Sequence, residues 1–367
     1  MKKLLITGLF LLFLAPSNYG QILNEGETIV RQFLAPSIEH NYGGEDAMRQ
    51  ISIYLPPDYN SSRDSYPTIY FLHGFAVDDS QIFQWMDLKQ LMDKAIETKK
   101  IRPVILVLPN SKTTYGGSFY TNSKLIGNWS DYIAKDVVEY LDKNFRTIPN
   151  RENRGLSGHS MGGNGALKIA MLYPEVFSSV YAMSPAVLDW SNDFSMESQG
   201  FKRIFEPSIE SDVHEILTNF EGKGDFDAFY ATVLINLGRA YSPSGDNTNF
   251  GANYPITYDG NKSTIHADIQ QLWEDNFPMN MIDNHLTALK SLNAIKMDWG
   301  RNDEFPHIPV TALKFSKKLE ANGIVHFAEE YIGDHTNKLD GFEGRIYMDM
   351  LPFFEMYLGN DSVIKKD

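Results

Sequence analysis

Residues 154–163 read RGLSGHSMGG, a short run that holds a serine, Ser160, with a glycine two places to either side. The spacing Gly158-x-Ser160-x-Gly162 is a weak signal alone, so its surroundings must give it meaning. Upstream, YPTIYFLHG (66–74) and RPVILVLPN (102–110) are continuous apolar runs closed by loop residues. Runs of that kind fit strands buried on both faces. WMDLKQLMDKAIET lies between them and reads as a helix. DYIAKDVVEYLDKNF (131–145) reads as another, with Ile133, Val137, Val138, Tyr140 and Leu141 on or near one face. Downstream, NGALKIAMLY reads as a helix and FSSVYAMSP as a further buried strand. The alternation predicts an α/β fold with a mainly parallel central sheet and helices on both faces. Ser160 falls where one strand hands over to one helix.

Further out, ETIVRQFLAPS and MRQISIYLPPDY read as two leading strands. After Pro185 the alternation stops. Residues from about 187 to 285 are rich in polar, aromatic, Gly and Pro positions, and AYSPSGDNTNFGANYPITYDG is a dense run of loop signals. Its aromatics favour an ordered cap over a linker. AIKMDWG, VTALKFSKKLEANG, HFAEEYIG and EGRIYMDMLPFFEMYL then resume the pattern. The reading is one α/β domain, residues 21–367, with a cap insertion at about 187–285.

The chain has 367 residues, a formal charge of -14 and no cysteine. The charge speaks against nucleic acid as a partner. Without cysteine there is no disulfide, thiol nucleophile or Cys-held metal. Lys2 and Lys3 precede an apolar run from Leu4 to Leu14, and small or polar residues continue to Gly20. This is the pattern of a signal peptide over residues 1–20, too short to span a bilayer. The expectation is a secreted or periplasmic protein without a lipid-bearing cysteine or a stable membrane span. No metal motif is present: SGDNTNFGANYPITYDGN lacks the carboxylate spacing of a calcium loop, and no His-Glu-x-x-His occurs. No cofactor is expected.

A strand-to-helix turn is the setting in which a serine hydroxyl becomes exposed and attackable. The Met161 amide, first in the helix, would face a developing oxyanion, and the Phe75 amide after YFLHG would be the second donor. A serine needs a base, and the base an orienting acid, each at the end of a later strand. MDWGRNDEF offers Asp298, Asp303 and Glu304; Asp298 lies within the strand pattern, so Asp303 is favoured and Glu304 is second. EEYIGDHTN places His335 just past the last strand. His73 and His326 read as structural. Trp85, Tyr115, Phe119, Tyr120 and Trp129 fall in loops beyond the first central strands, where such sheets bind ligands. Of these, Trp85, Tyr120 and Trp129 are candidates for substrate contact.

YLPPDY, YFLHGF, VLPNSKTTYGGSFYTNS, GNWSDYIAKDVVEYLDKNFRT, GHSMGGNGAL, DWGRNDEF and YIGDH resemble the putative esterase (esterase D-like) family of α/β-hydrolases. That family includes feruloyl esterases, enterochelin esterase-like proteins, S-formylglutathione hydrolases and antigen 85 mycolyltransferases. The matching stretches cover roughly residues 50–186 and 294–336. The resemblance implies Ser160 as nucleophile, Asp303 as acid and His335 as base. Asn110 departs from it, since the family often has Asp after VLP. The implied protein is an exported serine carboxylesterase acting on a small-molecule or polysaccharide-linked ester, feruloyl, acetyl or another small acyl. Acyl transfer to a sugar or lipid alcohol is a second reading, and non-catalytic binding of glycan or siderophore a third. The oligomeric state is not legible.

Overall fold

The apolar runs become the middle of an eight-stranded sheet. In the computed structural model, which describes residues 25–218, 225–246 and 248–359, the strands are β1 (Glu27–Leu34), β2 (Met48–Leu55), β3 (Thr68–Leu72), β4 (Ile105–Pro109), β5 (Arg154–His159), β6 (Ser179–Met183), β7 (Ala294–Gly300) and β8 (Phe327–Tyr331). Their spatial order is β1-β2-β4-β3-β5-β6-β7-β8. β2 runs antiparallel to β1 and β4, and the other pairs are parallel. The expected signal segment, residues 1–20, lies outside the described residues.

Side chains alternate across a strand, so a run apolar at every position must feed two cores. Tyr70, Leu72, Ile105, Val107, Val180 and Ala182 enter one cluster. Ile69, Phe71, Leu106, Leu108, Tyr181 and Met183 enter the other. Helices α1 (Asp79–Trp85) and α2 (Leu88–Glu97) cover the second face, with Ile346–Met350 and Leu351–Tyr357. Helix α3 (Met161–Leu172) covers the first; Ala166 and Ala170 are fully buried there and let it lie close to the sheet.

The segment between β6 and β7 is largely helical, where its sequence reads as loop. Its elements include α4 (Phe226–Tyr241), helices at Gln199–Arg203, Ile209–Thr218 and Ala267–Asn276, and a hairpin of Ile256–Asp259 with Lys262–Ile265. In α4 every residue from Tyr230 to Tyr241 is buried, the sign of a helix enclosed on all sides. Trp273 anchors the segment, stacked at 5.8 Å on Trp190. The Pro, Gly and Asn signals mark the joints between these pieces. Beyond the insertion, α5 (His307–Ala321) returns to the sheet through Ile308, Ala312, Phe315 and Leu319.

Candidate active site

β5 ends at His159 and α3 begins at Met161, which leaves Ser160 alone on the turn. Its backbone has φ 59° and ψ −117°. A non-glycine residue there costs about 1–3 kcal/mol and persists only when its neighbours hold it. They do: the Ser160 amide donates to Met183 O at 3.0 Å, and its carbonyl accepts from Asn164 N at 3.0 Å and Ala186 N at 3.2 Å. The two flanking glycines answer a contact requirement. A Cβ on Gly162 would sit 1.9 Å from Leu72 O, and one on Gly158 2.4 Å from Gly162 O. No larger residue fits either position without moving the backbone.

The acid loop after β7 and the loop after β8 meet beside this turn. His335 Nδ1 lies 2.8 Å from Asp303 Oδ2, and the Asp303 side chain is fully buried. The other Asp303 oxygen accepts from Phe305 N at 2.9 Å. Glu304 takes the backbone instead, accepting from His335 N at 3.0 Å. The two acidic candidates are thereby separated: Asp303 reaches the ring. His159, next to Ser160, donates from Nε2 to His335 O at 2.8 Å, and the two rings are 4.5 Å apart. Burial, and then the neighbouring His335, holds His159 well below the usual histidine range. Ser160 Oγ has no hydrogen-bond partner among the described residues; nucleophile and base are commonly loose before substrate arrives. Asp298 is fully buried and spent on structure, bound by Arg345 Nε at 2.8 Å and by the Tyr181 hydroxyl.

Two backbone amides near Ser160 are unused. Neither Phe75 N nor Met161 N donates to an acceptor among the described residues, and both residues line one cavity with Ser160. The Phe75 loop is pinned from both sides. Ala76 N donates to Gly116 O at 3.0 Å, and His73 Nε2 accepts from Ser111 N at 2.8 Å. That acceptor role places the His73 proton on Nδ1, facing Gly74 O at 2.8 Å. Burial lowers His73 to about 4, so it stays neutral.

Of the loop aromatics, Phe119 lines the cavity at Ser160, but the three candidates for substrate contact do not. Tyr120 and Trp129 are completely buried. The Tyr120 hydroxyl donates to His73 O at 2.9 Å, and Trp129 Nε1 donates to Ile126 O at 2.7 Å. Both are packing residues, and Tyr120 braces the end of β3 just before the Phe75 loop. Trp85 is exposed at the end of α1, and none of the three lines the cavity at Ser160. The cavity measures about 30 Å³ and is walled by Phe75, Phe119, Val187, Phe229 and Phe305, among others. Half of that wall comes from the insertion and the acid loop, which the strand pattern could not place.

A second histidine–carboxylate pair, missed from sequence, borders the same cavity. His307 Nδ1 is 2.9 Å from Asp193 Oδ2, and His307 N donates to Asp193 Oδ1 at 2.6 Å. The Tyr230 hydroxyl donates to the same carboxylate. Burial pushes the Asp193 carboxyl up, but its bonds and charge contact with His307 and its bond from Tyr230 outweigh this and hold it below the usual range. Among the described residues there is no group of three or more His, Asp or Glu fit to hold a metal, and no helix long and apolar enough to cross a membrane.

A sheet in this order, with a strained serine between strand and helix and a His–Asp pair beyond two later strands, is the α/β-hydrolase architecture. The model of the family described as Putative esterase matches residues 46–346, and the chain belongs to that family. Over 158 residues it is 32% identical to an esterase of Mycobacterium tuberculosis, covering 39% of this chain and 32% of that protein. Over 149 residues it is 32% identical to an S-formylglutathione hydrolase of Arabidopsis thaliana, covering 36% of this chain and 50% of that one. The matches thus span between a third and a half of these curated relatives. A solved ferulic acid esterase superposes with a TM-score of 0.61 at 16% identity, covering 91% of this chain and 99% of that one. That likeness concerns the fold.

Proposed function

We propose that the protein is an exported serine carboxylesterase. The observation that carries this reading is the buried Asp303–His335 contact of 2.8 Å, set against the Ser160 turn through His159. Ser160 Oγ attacks the ester carbonyl, and His335 Nε2 takes its proton and passes it to the departing alcohol. Asp303 accepts from Nδ1–H, which fixes the tautomer that leaves Nε2 basic, and steadies the ring when it is charged. The unused amides of Phe75 and Met161 receive the oxyanion. Water, activated by the same histidine, then releases the acid from Ser160. The relatives named as esterase, S-formylglutathione hydrolase and feruloyl esterase support ester chemistry. Acetyl and feruloyl esters, free or on polysaccharide, are the first substrates to try. Export rests on the leader pattern of residues 1–20.

The test is labelling by a fluorophosphonate, with peptide mapping of the adduct. One adduct, on Ser160, is expected, with none in Ser160→Ala. Turnover of aryl acetate should fall by about 10⁵–10⁶ in that variant. Wild-type turnover in Ser160→Ala would end the reading.

A further inference from the structure

The cavity beside Ser160 has a mostly apolar wall, and one histidine of that wall has a ring nitrogen without a partner among the described residues. His307 is 3% exposed and lines that cavity, and its Nε2 has no hydrogen-bond partner among the described residues. The proposed mechanism does not use it: His335 is the base, and Asp303 is already spent. Leaving a buried ring nitrogen unpaired is costly unless a ligand completes it. The other side of the ring is fixed. Asp193 is held ionised, and a carboxylate only accepts, so Nδ1 must carry a proton toward it. The His307 amide and the Tyr230 hydroxyl grip the same carboxylate, and Phe194 and Phe305 pack at 5.5 and 6.4 Å from the imidazole ring. A ring held this firmly presents Nε2 in one direction.

We infer that His307 is a specificity residue of the acyl pocket, selecting a short acyl group that carries a hydroxyl; the inference rests on the esterase reading above. A hydroxyl suits Nε2 in either protonation state, because it donates to the neutral ring and accepts from the charged one. The size limit comes from the cavity. At about 30 Å³ the cavity is tight, which favours a short acyl chain over a bulky one. Asp193 acts through His307 and is a positioning residue.

The experiment compares esters of one alcohol in isosteric pairs: glycolyl against propionyl, and 3-hydroxypropionyl against butyryl. Methyl ferulate is run beside them, and each kcat/KM is divided by the rate of alkaline hydrolysis. Wild-type enzyme is expected to favour the hydroxylated member of at least one pair by about tenfold or more, the worth of one net hydrogen bond. His307→Leu should bring that ratio to about one, and Asp193→Asn should lower it without abolishing turnover. The wild-type ratios need no variant, so a misfolded His307→Leu does not block the test. Equal rates within both pairs would overturn the hydroxyl subsite while leaving the esterase reading intact, as would a ratio unchanged in a folded His307→Leu. Preference for methyl ferulate would overturn the short acyl pocket. No turnover of any ester, with no fluorophosphonate adduct, would remove the esterase reading and this inference with it.

Discussion

Two His–Asp pairs flank one serine, and their heavy-atom contacts are almost equal, 2.8 Å for His335–Asp303 and 2.9 Å for His307–Asp193. They differ in what carries them. Asp303 and His335 stand on loops just beyond β7 and β8, and the ring is steadied by backbone bonds from neighbours: His159 holds its carbonyl and Glu304 its amide. His307 opens a fifteen-residue helix, and Asp193 comes from the insertion. The first pair is delivered by the sheet and the second by the packing of two elements against one another. The contact distance does not tell the two pairs apart. Their position relative to the Ser160 turn does.

The widest separation between the pairs should appear in turnover. Asp303→Asn should lower kcat/KM for an aryl acetate by about 10⁴, because an amide at that point favours the wrong imidazole tautomer. Asp193→Asn should cost no more than about tenfold on the same substrate. Equal losses would erase the distinction, and a larger loss in Asp193→Asn would transfer the base to His307.

In stability the order should reverse. Asp193→Ala strands three donors, the His307 amide, His307 Nδ1–H and the Tyr230 hydroxyl. Asp303→Ala strands two, His335 Nδ1–H and the Phe305 amide. Each buried donor left unpaired costs about 1–3 kcal/mol. Urea unfolding should therefore show Asp193→Ala to be the less stable of the two, by about 1 kcal/mol. The opposite ranking would mean that the insertion is not tied to α5 through this carboxylate.

The smallest effects concern the support of the first pair. His159→Leu removes the donor to His335 O and should reduce kcat by about tenfold, with fluorophosphonate labelling of Ser160 slowed but present. The same variant changes the acid limb of stability. His159 and His73 are both lowered by burial from the usual 6.5, His73 to about 4. The unfolded chain takes up protons that the folded one refuses, so stability falls as pH drops from 6.5 toward 4. Urea midpoints at pH 7 and 4.5 should differ less in His159→Leu than in the wild type. An unchanged difference would show that His159 ionises freely in the fold.

The sheet was readable because burial on both faces forces continuous apolar runs, and YPTIYFLHG and RPVILVLPN are such runs. The serine, the acid loop and the last histidine were readable for a related reason: in this topology each sits one turn past a strand. The choice of Trp85, Tyr120 and Trp129 as substrate contacts misled, whereas Phe119 lines the cavity. A Tyr or Trp in a loop has the same letter whether it faces a ligand or, like Tyr120 and Trp129, is buried and bonded to a backbone carbonyl. The insertion misled too, since its joints look like loop and its longest helix is buried on every side, which leaves little amphipathic period to detect.

The sequence by itself therefore determined the sheet, the strand-to-helix turn at Ser160, and two later loops able to bring a carboxylate and an imidazole to it. Local pattern suffices where chemistry hangs on strand ends. Only the tertiary structure decided that Asp303 rather than Glu304 reaches the ring, that His159 braces it, and that Asp193 crosses 114 residues to orient His307 at the cavity. Those choices depend on which side chain of a loop points inward and on how an insertion folds back over the sheet. Both are set by packing between residues far apart in the chain, for which the sequence has no period.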